Sequence, residues 1–144
     1  MLKTTSNIKS FTRRLDAIAK RIPKALDKGL SSWAVLAHKD ALKNLSGPGL
    51  KKSNVPGGAY PVPVRTGQLR RSEDYVLPGR SKHGITARHG QAYLVNTTAY
   101  ASEVHDGKGR HVRFGKREFA ADAIQSTRSE GLDAMSLAVR EALI

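Results

Sequence analysis

Glu103, His105, Asp106 and His111 fall within nine residues. Imidazole and carboxylate side chains at such density can hold a divalent cation or pass protons. The spacing, however, matches no HExxH or finger pattern. The glycine-punctuated stretch between His105 and His111 would position ligands poorly. Ordinary surface histidines near turns are therefore expected here, with no metal, cofactor or catalytic residue assigned. Zero cysteines remove thiolate metal sites, disulfides and a cysteine nucleophile. The serines show no GxSxG elbow. The stretch GPGLKKS holds a lysine pair and a serine but lacks the GxxxxGK[ST] spacing that cradles phosphates. A metal-dependent nuclease needs convergent carboxylates, and the basic half of the chain offers only Asp16, Asp27 and Asp40. The residue types thus point away from an enzyme.

Charge is the stronger signal. The 144 residues carry a net charge of +13. Residues 1–72 hold 15 Lys+Arg against three acids, whereas residues 73–144 hold 10 against nine. Such asymmetry predicts one polyanion-facing or partner-facing surface. The candidates are Arg13, Arg14, Lys20, Arg21, Lys24, Lys28, Lys51, Lys52, Arg70, Arg71, Lys108, Arg110 and Arg113. The alternative is a solvated, lysine-rich helix face. Aromatic residues make up 6%, too few for base stacking to dominate, so any DNA contact would be electrostatic and sequence-independent. No run of 18 apolar residues is present, so no membrane span is expected. MLKTTSNIKSF has no continuous apolar core, and no secretory signal is expected either.

The elements that must position these residues follow from periodicity. Ile8, Phe11, Leu15, Ile18 and Ile22 recur at helical spacing, and Leu26, Leu30, Trp33, Ala37, Ala41 and Leu45 continue the stripe. Ser6 or Asn7 is placed to cap the start. Pro23 either kinks one long helix or ends a first and opens a second. A main helix over 24–45 is expected, preceded by a mobile helical arm over 1–22, with Gly29 weakening the middle. Residues 46–64 hold four of the six prolines and four of the 13 glycines, and read as a flexible loop. Tyr75–Leu77, the stretch around Ile85, and AYLVNTTAY predict an antiparallel meander of three strands, or four if Val62–Val64 pairs. Pro78-Gly79 and His89-Gly90 are the expected turns. Residues 107–117 form a second flexible basic loop. Helical spacing returns from Glu118, with Gly131 a possible break. The whole reads as one α+β domain over 1–144: a long N-terminal helix on a small antiparallel sheet, with a C-terminal helix.

Three ordered segments are more specific. They are Pro63-Val64-Arg65-Thr66-Gly67-Gln68-Leu69-Arg70-Arg71-Ser72, Tyr100-Ala101-Ser102-Glu103-Val104-His105-Asp106-Gly107, and Arg117-Glu118-Phe119-Ala120-Ala121-Asp122-Ala123. In physical terms, Thr66 is expected to cap a short helical turn that Gly67 lets the chain enter tightly. Leu69 would plug that turn onto the sheet, with Arg70 and Arg71 outward. Tyr100 and Val104 share one face if 99–105 is helical, and Gly107 would end that turn. Phe119 would anchor the last helix against the sheet.

In this order the segments resemble the neck and tail-completion (minor tail, head–tail joining) proteins of long-tailed bacteriophages. The family pattern is P-V-x-T-G-x-L-x-x-S, then Y-A-x-x-V-E-x-G, then R-P-F. Here His105-Asp106-Gly107 stands where Glu-hydrophobic-Gly is usual, and Glu118 replaces the proline before Phe119. The resemblance implies a non-enzymatic virion component, assembled in the host cytoplasm, that forms a ring, commonly sixfold, at the neck or top of the tail. Its partners would be further copies of itself, the tail-terminator or tail-tube protein and the head-closure or connector protein, with genomic DNA passing through. The matching positions Arg65, Thr66, Gly67, Leu69, Ser72, Tyr100, Ala101, Val104, Gly107 and Phe119 are expected to define the fold rather than to catalyse. The competing expectation is a small basic protein that binds DNA through phosphate contacts.

Overall fold

The computed structural model describes residues 4–46, 67–106 and 118–144. Helix α1 spans Thr4–Asn44, 41 residues, or about 60 Å at the α-helical rise. It does not break at Pro23. Pro23 and Ala19, whose carbonyl loses its intrahelical partner there, are both exposed, so water can satisfy the freed group. Of the two alternatives at Pro23, one long helix holds rather than two. Ser6 and Asn7 lie inside it rather than capping it.

After α2 (Gln68–Arg71) come β1 (Glu73–Val76), β2 (Ser81–Lys82), β3 (Ile85–Thr86) and β4 (Tyr93–Asn96). The expected meander is corrected. β1 pairs antiparallel with β4, with Glu73 opposite Asn96 and Val76 opposite Tyr93. β2 and β3 form a separate hairpin between them. His83 and Gly84, with φ of 54° and 75°, make its two-residue turn. That left-handed pair matches the right-handed twist of the strands, so the hairpin closes on itself and leaves β1 to find β4. Turns do fall at Pro78-Gly79 and His89-Gly90. Val62–Val64 lies outside the described residues.

α3 (Ala101–Asp106), α4 (Phe119–Ser126) and α5 (Arg128–Leu143) complete the order. The C-terminal helical region breaks at Thr127, not at Gly131. The Thr127 side chain turns back to donate to the Ala123 carbonyl at 2.7 Å and accepts from Trp33 Nε1 at 3.1 Å. Gly131 is instead buried within α5 against Trp33.

α1 packs chiefly on α5 and α4, and also on β1 and β4. The α1–α5 seam is close because both helices present glycine. A Cβ on Gly29 would lie 2.5 Å from the Met135 Cα. Successive contacts of Trp33 with Gly131 and Gly29 with Met135 make the two helices antiparallel. The fold is thus α+β, a long helix with two small antiparallel strand pairs and C-terminal helices. Among the described residues no helix is long and apolar enough to cross a membrane.

Candidate functional site

The three sequence segments singled out above converge in space. Leu69 from α2, Val104 from α3, and Phe119 with Ala120 from α4 surround Leu45 at the C-terminal end of α1. Leu45 and Phe119 are both 2% exposed. Phe119 therefore anchors α4 against the end of α1, with Leu69 and Val104 packed on the same pair, and it shares a cleft with Glu73 and Asn96 of the β1–β4 pair. The Asn44 side chain donates to the Phe119 carbonyl at 3.1 Å and fixes the same junction.

The turn before β1 is capped by Gly67 itself, at φ 72°, with no side-chain cap bond. The expected capping role of Thr66 lies outside the described residues. Ser72 closes α2 through its backbone N–H. The Leu69 carbonyl ties α2 to β4 by accepting from Asn96 Nδ2 at 2.7 Å, while its side chain packs on Leu45 and Phe119. Tyr100 is half-buried and accepts the Val104 N–H at 3.2 Å, and Ala101 is buried, so this segment is indeed one helical turn.

Beside that cluster lies a cleft of about 210 Å³ lined by Glu73, Asn96, Ser102, His105, Asp106 and Phe119. Asn96 Nδ2 also donates to Glu73 Oε2 at 2.8 Å, while Glu73 Oε1 is buried without a partner. Burial pushes the Glu73 carboxyl up to about 7, against the opposing influence of Asn96 and His105. Sequence reading missed Glu73. The sole hint is its place directly after the Thr-Gly motif, because its burial depends on the β1–β4 register.

His105 pairs with Asp106 at 3.0 Å and packs edge-on against Phe119, with ring centroids 5.4 Å apart. Among the described residues no group of three His, Asp or Glu side chains is arranged to hold a metal ion. His111 lies outside them.

The other described histidines act as local ties. His38 Nε2 donates to the Glu73 carbonyl at 3.2 Å. His89 Nδ1 donates to Asp27 Oδ2 at 2.6 Å, and the Gly90 N–H to Asp27 Oδ1 at 2.8 Å. These bonds clip the β3–β4 turn onto α1 and hold the Asp27 carboxyl below its ordinary range. At Asp74 burial pushes the carboxyl up. Lys82 at 2.5 Å, His83 at 2.8 Å and the Tyr75 N–H outweigh it and hold the group low. Replacing Asp27 by Ala is expected to free the 88–91 turn at a cost of about 1 kcal/mol. Backbone hydrogen exchange at Gly90 measures this.

The basic candidates fall into three groups. Arg13, Arg14, Lys20, Arg21 and Lys24 are exposed along the first half of α1. Lys28 is paired with Glu141 at 2.9 Å, and that pair is exposed. Arg70 and Arg71 are exposed on α2, and Arg70 lines an open cleft of about 640 Å³ with Lys39, Lys43, Asp40 and Glu130. Lys51, Lys52, Lys108, Arg110 and Arg113, with the motif residues Arg65, Thr66 and Gly107, lie outside the described residues, as do the two expected flexible loops.

The first half of α1 has a second property. Ile8, Phe11 and Leu15 are 64%, 62% and 48% exposed. The same face of α1 continues at Gly29 and Trp33, which meet Met135 and Gly131 of α5. At the antiparallel register set by Gly29 and Met135, α5 reaches its last residue near Lys20. Residues 4–20 therefore project about 25 Å beyond it. The projection carries an uncovered apolar stripe bordered by cations.

Scans of protein-family models, of curated proteins and of solved structures each return no match to this chain.

Proposed function

We propose that the chain is a structural subunit of a tailed-bacteriophage virion, forming a ring at the neck or top of the tail that completes the tail and joins it to the head. The observation that carries this reading is the projecting half of α1. A chain working alone has little use for Ile8, Phe11 and Leu15 held in water on a rigid rod, whereas a subunit uses such a stripe to bind its neighbour. The three family-like segments support the reading in a second way. They meet around Leu45 and Phe119 as packing residues, which suits a motif that defines a scaffold. The described residues form no convergent catalytic arrangement beyond the buried Glu73 cleft. Ring formation needs a heterologous interface that closes by rotation. Cross-linking and native mass spectrometry with the tail-tube or terminator protein test the proposal. A chain that never enters purified virions and stays monomeric beside those partners refutes it.

The exposed cations on the projection favour one second reading, sequence-independent DNA binding. On either reading, replacing Arg13, Arg14, Lys20 and Arg21 together by Gln is expected to weaken binding to the polyanionic partner. If that partner is DNA, the slope of log affinity against log salt falls by about one for each cation that touches a phosphate. Gel shifts at two salt concentrations read this directly. An unchanged affinity and slope would mean the face is merely solvated.

A further inference from the structure

The projecting stripe has a candidate receptor on the same molecule. Between α1, β4 and α4 runs an apolar groove of about 150 Å³, lined by Leu30, Trp33, Ala37, Tyr93, Leu94 and Ile124 among others. Tyr93 and Ile124 are 39% and 43% exposed, so large apolar side chains stand at its mouth. The stripe cannot reach the groove of its own chain, because stripe and groove floor are parts of one continuous helix. Phe11 and Trp33 are 22 residues apart, about 33 Å along one uninterrupted helix.

We infer that the projecting half of α1 docks, through Ile8, Phe11 and Leu15, into the groove of a second copy of this chain. Charge selects this occupant. Residues 4–24 carry six cations and one acid, whereas residues 118–144, which supply the α4 wall and the adjoining α5, carry five acids and two cations. Stripe on groove therefore brings opposite charges together. Stripe on stripe, the symmetric alternative, would set two strongly basic helices side by side. The contact is thus head-to-tail. Each copy gives one stripe and receives another, so the series either closes into a ring or runs on as a filament. This identifies the self-contact within the ring-subunit reading and rests on that reading only for its closure.

The chain has no cysteine, so introduced pairs report without background. A copy carrying Phe11→Cys, mixed with one carrying Ile124→Cys, should form an intermolecular disulfide on mild oxidation, and so should Phe11→Cys with Tyr93→Cys. Separately, Phe11→Glu and Ile124→Glu should each weaken self-association in sedimentation by about tenfold or more, the loss of one buried apolar side chain. All these positions are exposed, and circular dichroism checks that each variant folds. The two Glu variants mixed should give a one-to-one dimer that grows no further, since one intact stripe then meets one intact groove. Assembly that cross-links 11 to 11 and not 11 to 124 overturns the head-to-tail contact while leaving the ring reading standing. A chain monomeric at its highest soluble concentration also overturns the contact. Head-to-tail cross-links in a chain absent from virions would sink the ring reading alone.

Discussion

Replacing Gly131 by Ala is expected to destabilise the protein by about 2 kcal/mol, although alanine is the better helix former. In a free helix the change would stabilise by about 1 kcal/mol. Here an added Cβ would fall inside the contact radius of the Trp33 ring atoms Cγ, Cδ1 and Cδ2. The ring cannot simply swing away. Its Nε1 donates to Thr127 at 3.1 Å, and Thr127 in turn holds the α4–α5 junction through Ala123. Overpacking of this kind costs about 1–3 kcal/mol, and loss of the indole hydrogen bond adds about 1. The melting temperature should fall by about 6 °C. Trp33 is the only tryptophan, so its fluorescence reports the seam directly. Ser136→Ala, on the exposed side of α5, should change stability by less than about 0.5 kcal/mol. A Gly131→Ala protein that melts higher than the parent would mean that α5 does not seat on Trp33.

The second large effect concerns pH. Glu73 titrates at about 7 in the folded chain, against an ordinary value of 4.5. The folded state therefore holds this proton more tightly than the unfolded state does. Protonation stabilises the fold. The contribution is complete below about pH 4.5, declines as pH rises through the raised value, and is lost above it. Replacing Glu73 by Gln removes the charge while keeping a carbonyl that can accept from Asn96. The variant should gain roughly 2 kcal/mol over the parent at pH 8, after discounting for solvent screening, and almost nothing at pH 4.5. Urea melts at the two pH values measure the difference. An equal effect at both would show that Glu73 stays ionised in the fold. The acids held low, Asp27 and Asp74, act in the opposite sense. Their stabilisation is present above their ordinary values and is lost as pH falls toward the acid range.

Local chemistry makes much of this molecule legible in its sequence. The stripe from Ile8 to Leu45 is written in residue spacing, and spacing alone produces α1. Gly67, Pro78-Gly79 and His89-Gly90 mark places where only certain residues let the chain turn, and the turns fall there. The basic face of α1 is likewise countable, because a helix puts its charges where its period says.

Contacts between distant residues were decided elsewhere. β1 took β4 as its partner because the His83-Gly84 turn closed the hairpin between them, and no local pattern ranks those pairings. Gly29 and Gly131 look like weak points in two separate helices. Only their meeting across the α1–α5 seam turns them into the reason the seam is close. Glu73 is an ordinary acid in the sequence, and its burial beside Asn96 is what raises its proton affinity. The candidate site itself is such a case. Ile8, Phe11 and Leu15 read as core residues by spacing, since amphipathic stripes are normally covered. In the folded chain they are exposed, because the α1–α5 seam runs through Gly29 and Trp33, well along α1 from these three residues. Periodicity says that a face must be buried. Which part of that face is covered within the chain is decided by the register of the packed helices.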